Sequence, residues 1–124
     1  MGRTRAGLVV LMSLVWVLPV SAQNCRKTFA NRQNTRQDFV ISTTAVTVLT
    51  ANTSRCGAII SNISTNDMRC ADMVNDGPPT ATTGFLVKSG QWWLLELEGQ
   101  GTYACIRSST ATADAGASVV ESLP

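Results

Sequence analysis

Gln91-Trp92-Trp93-Leu94-Leu95-Glu96-Leu97-Glu98-Gly99-Gln100-Gly101-Thr102-Tyr103-Ala104-Cys105-Ile106-Arg107 is the stretch that decides the fold. Two short runs of aromatic and aliphatic residues flank the polar reversal Glu98-Gly99-Gln100-Gly101, and the reading is strand, turn, strand. Neighbours on a strand point to opposite faces. Of Trp92 and Trp93, one therefore enters a core and the other reaches solvent or a partner, unless the arm or a loop covers it.

The same grammar extends in both directions. Upstream, Phe39–Leu49 alternates and is rich in Val and Thr, and it stops at Ala51-Asn52-Thr53-Ser54. Arg55–Ser61 carries the apolar run Ala58-Ile59-Ile60, of the kind a strand covered on both faces shows. After the polar turn Asn62–Asp67 come a strand at Met68–Met73, the strong punctuation Asn75-Asp76-Gly77-Pro78-Pro79, a short strand at Gly84–Val87 and the tight turn Lys88-Ser89-Gly90. Downstream, Ser108–Gly116 reads as loop and Ala117–Leu123 as the last strand. Seven short strands, with no helical periodicity and no crossover helices, predict an all-β domain over residues 39–124. The fold expected is a small antiparallel β-sandwich, Ig-like or jelly-roll-like.

Ahead of the domain, Arg3 and Arg5 precede an apolar run from Ala6 to Val20 that ends in Ser21 and Ala22. That is the build of a secretory signal peptide, residues 1–22, cleaved after Ala22. A retained hydrophobic anchor is the alternative, although the run is marginal against the roughly 20 apolar residues that cross a bilayer. Gln23 and Asn24 stand where a lipoprotein signal needs small residues before Cys25. Residues 23–38 form a basic polar arm with Arg26, Lys27, Arg32 and Arg36, read either as a surface for an acidic partner or as a solvated leader or one short helix. The chain has 10 basic and 8 acidic residues; without Arg3 and Arg5 the balance is 8 to 8, which removes the main support for nucleic-acid binding.

Cys25, Cys56, Cys70 and Cys105 all follow the apolar run. In an oxidising compartment an even set reads as two disulfides, with three possible pairings. The preferred one joins Cys70 to Cys105, both inside predicted strands, and tethers the arm through Cys25 to Cys56. No C-x-x-C half-site is present, so neither a metal nor a cofactor is expected.

The chain contains no histidine, which removes Ser-His-Asp and Cys-His nucleophile pairs, His-ligated metals and imidazole acid–base chemistry. Glu96 and Glu98, two apart on a strand, share a face and form the remaining carboxylate pair, but strands this short seldom enclose the cleft that glycoside hydrolysis requires. Asp67, Asp72 and Asp76 gather at turns without the spacing of a calcium loop. Asn52-Thr53-Ser54 and Asn62-Ile63-Ser64 match the N-glycosylation pattern in predicted loops. Trp92 and Trp93 remain as binding candidates, either anchoring an interface or stacking on a sugar.

Two resemblances follow. Arg55-Cys56-Gly57-Ala58-Ile59-Ile60-Ser61-Asn62, the Thr80-Ala81-Thr82-Thr83-Gly84 turn, Lys88-Ser89-Gly90, Tyr103-Ala104-Cys105-Ile106 and Ser118-Val119-Val120-Glu121 together resemble small bacteriophage virion proteins. The resemblance covers roughly residues 40–122 and implies a β-sandwich serving as a capsid decoration, head-fibre or tail accessory module without catalysis. The cysteines and the export signal depart from that group. Gly101-Thr102-Tyr103-Ala104-Cys105 is similar to the Tyr-x-Cys corner of immunoglobulin domains, although the tryptophan expected after the first cysteine is missing. The partners implied are proteins, in a repeated assembly or by self-association, at a virion surface or outside the cell. The alternative is a secreted recognition module for a glycan or protein. No nucleic acid is expected, and a membrane only where the N-terminal segment is retained.

Overall fold

The structure, a computed structural model, describes Cys25, residues 33–95 and residues 100–123. Eight strands carry the described chain: β1 Gln33–Ile41, β2 Val46–Leu49, β3 Gly57–Asn62, β4 Met68–Asp72, β5 Phe85–Val87, β6 Trp92–Leu95, β7 Tyr103–Arg107 and β8 Ala115–Leu123. They form two antiparallel sheets, β1-β8-β3-β6 and β2-β7-β4-β5, and the described residues contain no helix. The all-β sandwich expected from the sequence is therefore the fold.

Its topology is specific. Gln33 pairs with Leu123, Val46 with Cys105, Ala58 with Leu95 and Met68 with Val87, so the chain is one long nested hairpin closing on the β4–β5 tip. Rolled so that successive arms alternate between two sheets, such a hairpin has the connectivity of a jelly roll.

Two expectations are corrected. Phe39–Leu49 is not one strand: β1 ends at Ile41, residues 42–45 change sheets, and β2 starts at Val46, which raises the count from seven to eight. The domain also starts before residue 39, because Gln33–Asp38, assigned to the arm, are the first six residues of β1 in register with Ser118–Leu123. Residues 34–38 are exposed on both faces of an edge strand, so nothing selects the apolar alternation that would have marked them. Backbone pairing to β8 makes them strand.

The core lies between the sheets. From the first sheet come Ile41, Ala58, Ile60, Leu95, Ala117 and Val119; from the second, Met68, Cys70, Val87, Tyr103 and Cys105. The disulfides join Cys25 to Cys56 and Cys70 to Cys105. Cys70 and Cys105 face each other directly across β4 and β7, with Cα atoms 4.1 Å apart, so this bridge staples neighbours within one sheet. The immunoglobulin disulfide instead crosses between sheets, and the local Tyr-x-Cys likeness does not extend to that arrangement. Tyr103 directs its hydroxyl to Asp72, its partner across the same strand pair. Two bridges in so small a sandwich are those of an exported or surface protein.

Candidate docking face

The first sheet shows its outer side to solvent, and its register places each residue. Arg36, Val120, Ile59 and Leu94 lie in one row across the four strands. Asp38, Ser118, Ser61 and Trp92 form the next row. In the third row Val40 lies opposite Gly116, whose carbonyl accepts the Ile63 N–H at 2.9 Å. A Cβ built on Gly116 would point outward and meet the Ile63 side chain at 3.4 Å, which puts Ile63 on the same face.

Among the described residues the exposed large hydrophobics are Val40, Ile63, Val74, Phe85, Trp92 and Leu94, and Trp92 is 62% exposed. Four of these six share the outer face of the first sheet; half-buried Ile59 and Val120 lie in the row of Leu94, and Ser118 and Ser61 stand between that row and Val40 with Ile63. Scattered surface hydrophobics are ordinary; several large ones on one sheet face make that face the candidate contact surface. Among the described residues its charges sit at one edge, on β1, where Arg36 Nε and Asp38 Oδ1 are 3.2 Å apart. Hydrogen bonds from the Ser118 hydroxyl and from Arg36 hold the Asp38 carboxyl below its ordinary range.

Parity separates the two tryptophans. Trp93 points inward, stacking on Phe85 with centroids 4.9 Å apart and meeting Tyr103 edge-on at 5.7 Å. It closes the seam where edge strand β6 of one sheet meets edge strand β5 of the other. Trp92 points outward.

Of the arm cations, Arg36 falls among the described residues and lies on the face; Arg26, Lys27 and Arg32 lie outside them, as do Glu96, Glu98 and the apolar segment 1–22. The aspartates organise turns. Asp72 Oδ1 accepts the Val74 N–H at 2.9 Å and Oδ2 accepts the Asn75 side-chain amide at 2.8 Å, while Asp67 Oδ1 accepts the Ser89 N–H at 3.0 Å. Asp76 is exposed in the same turn.

Asn62, placed by its sequence in a loop, is the buried last residue of β3. Its side-chain amide donates to the carbonyls of Asn66 and Val87 at 2.8 and 2.9 Å, so the nitrogen that would carry a glycan is occupied inside the fold. The Asn52 amide donates to Glu121 Oε1 at 3.1 Å.

Sequence reading singled out Trp92 but passed over Leu94, Ile59, Val120, Val40 and Ile63. The signal for Leu94 was present, since it lies two residues after Trp92 on one strand and so shares its face. Ile59 and Val120 needed the register, which the sequence does not carry.

No protein-family model matches the chain, and no curated protein matches it. Among solved structures, a protein of the Bacillus endospore appendages, described as a novel family of disulfide-linked pili, is similar over 74% of this chain and 85% of that chain. The identity is 12% and the TM-score 0.44. Likeness of that degree carries no inference about what this chain does.

Proposed function

We propose that the chain is a non-catalytic structural or accessory subunit of a virion or surface assembly, docking through the outer face of the β1-β8-β3-β6 sheet. The observation that carries this reading is the presence of Val40, Ile63, Trp92 and Leu94 on that one face, together with half-buried Ile59 and Val120. A rigid, doubly crosslinked sandwich offers a flat apolar surface without ordering cost, which suits repeated contacts. The jelly roll is also used by capsid and lectin domains, an analogy of fold that leaves the function to the surface. A capsid decoration, fibre or tail accessory role is the finer form of the reading.

The test is velocity sedimentation of material from cells that make the protein, comparing wild type with Leu94→Arg. Wild type is expected in a fast-sedimenting particle or envelope fraction, and Leu94→Arg as free folded chain. Free wild type, or equal incorporation of the two, would overturn the reading. The exposed indole of Trp92 favours one alternative, glycan recognition. In that case a glycan array shows binding that Trp92→Ala abolishes, with no assembled fraction.

A further inference from the structure

Among the described residues β1 is the longest edge strand. It runs for nine residues, holds no proline, and pairs with β8 one-to-one without a register shift. Edge strand β2 has four residues and its pairing slips between Thr47 and Leu49, while edge strand β5 has three. Short length, bulges and prolines protect a sheet edge against the addition of another strand, and β1 has none of these. The two charges it carries, Arg36 and Asp38, are of opposite sign.

The register fixes which backbone groups β1 leaves free. The carbonyls of Gly116 and Ser122 accept from the N–H groups of Ile63 and Cys56, so these β8 residues turn their backbone toward β3. Direction alternates along a strand, so Ala117, Val119 and Glu121 turn theirs toward β1, to Phe39, Gln37 and Thr35. The N–H and C=O groups of Asn34, Arg36, Asp38 and Val40 therefore point off the sheet, and no backbone hydrogen bond among the described residues reaches them. We infer that this edge pairs antiparallel with β1 of a second copy of the chain, about a two-fold axis perpendicular to the sheet and between the two Gln37 residues.

Charge selects that register. Hydrogen bonds pass only between groups that face each other, so the free residues of one β1 must lie opposite the free residues of the other. With Gln37 on the axis, Arg36 lies opposite the other copy's Asp38 and Asn34 opposite its Val40, giving about eight backbone hydrogen bonds. The Arg36 and Asp38 side chains, both exposed and 3.2 Å apart within one copy, become a square of alternating charges. Sliding either strand by two residues instead sets Arg36 against Arg36 or Asp38 against Asp38, and like charges directly opposite are destabilising.

The edge also has room for the second strand. Thr35 and Gln37 lie on the inner side of the sheet with Ile41, yet they are exposed where Ile41 is buried, so this half of β1 stands clear of the second sheet. Antiparallel pairing lays the clear half of each copy alongside the covered half of the other. Strand addition of this kind draws its affinity from main-chain hydrogen bonds and needs no wide apolar area. It joins the two first sheets into one eight-stranded sheet with both outer faces on the same side, as an isologous contact requires.

This edge contact is separate from the outer-face docking proposed above. Sedimentation equilibrium of the secreted, disulfide-bonded chain, run to several hundred micromolar, should show a wild-type dimer that Leu94→Arg leaves unchanged. Arg36→Glu alone and Asp38→Lys alone should each weaken it at least tenfold. An equimolar mixture of those two variants should recover a heterodimer, because each cation again faces an anion. Gln37→Cys should form an interchain disulfide under mild oxidation, since Cα atoms paired at a non-hydrogen-bonded position are about 4.5 Å apart, whereas Asn34→Cys should not.

A wild type that stays monomeric, a mixture of the two charge variants that stays monomeric, or equal crosslinking at positions 37 and 34 would overturn the edge pairing. A dimer lost in Leu94→Arg would place the self-contact on the outer face and overturn it as well.

Discussion

The Arg55 guanidinium and the Glu121 carboxylate, 66 residues apart in sequence, meet at 2.7 Å at one end of the sandwich. Arg55 is 2% exposed and also donates to the carbonyls of Gly101, at 3.0 Å, and Thr50. One side chain therefore fastens the β2–β3 and β6–β7 connections to strand β8. Removing one partner of a buried pair strands the other's polar groups, so Arg55→Met should lower unfolding stability by about 3 kcal/mol. Urea titration followed by tryptophan fluorescence measures this, and an unchanged midpoint would show that the clamp is not structural.

The two disulfides span similar chain lengths, with sequence separations of 31 and 35, so the constraint each puts on the unfolded chain is alike, about 2–4 kcal/mol. They differ in burial. Cys70 and Cys105 are fully enclosed in the core, and a Cys70→Ala, Cys105→Ala double variant leaves a void as well as losing the bond. Calorimetry should show a larger drop in Tm for that pair than for Cys25→Ala with Cys56→Ala.

Gly84 precedes β5 at φ +104°, where an added Cβ would sit 3.0 Å from the Cys70 carbonyl oxygen and 3.3 Å from Pro79 Cβ. Gly90, at φ +72°, has open space around the same position. Both substitutions meet the left-handed penalty of roughly 1–2 kcal/mol, but Gly84→Ala must also displace backbone. Chemical denaturation should therefore rank Gly84→Ala as clearly the more destabilising.

Acid should loosen the β4–β5 connection. Burial raises the pKa of Asp72, but hydrogen bonds from the Val74 N–H, the Asn75 amide groups and the Tyr103 hydroxyl outweigh it and leave the carboxyl below its usual 3.8. A carboxyl depressed in the folded state adds stability that is fully present above the unfolded value and is lost as pH falls through the folded one. Stability should therefore fall below about pH 4, with part of the slope removed in Asp72→Asn. An identical pH profile in that variant would contradict the assignment.

Much of this was legible in the residues themselves. The β4, β5 and β7 segments, the β-sandwich class and the outward turn of one tryptophan follow from periodicity and punctuation, which are local. What escaped was settled by distant partners. Gln33–Asp38 is strand because β8 lies beside it, Asn62 is buried because Asn66 and Val87 present carbonyls to its amide, and Arg55 is buried because Glu121 arrives from the other end of the chain. The candidate docking face escaped for the same reason: its apolar residues come from strands whose order in the sheet is not their order in sequence.

Hydroxyl-radical footprinting of the protein in its assembled form, and again after release, tests the role of that face most directly. Trp92 and Leu94 should gain labelling several-fold on release, while Val74 and Phe85, exposed elsewhere, stay constant. Equal labelling of Trp92 in both states, or protection confined to Val74 and Phe85, would mean that the outer face of the β1-β8-β3-β6 sheet is not where this protein makes its contacts.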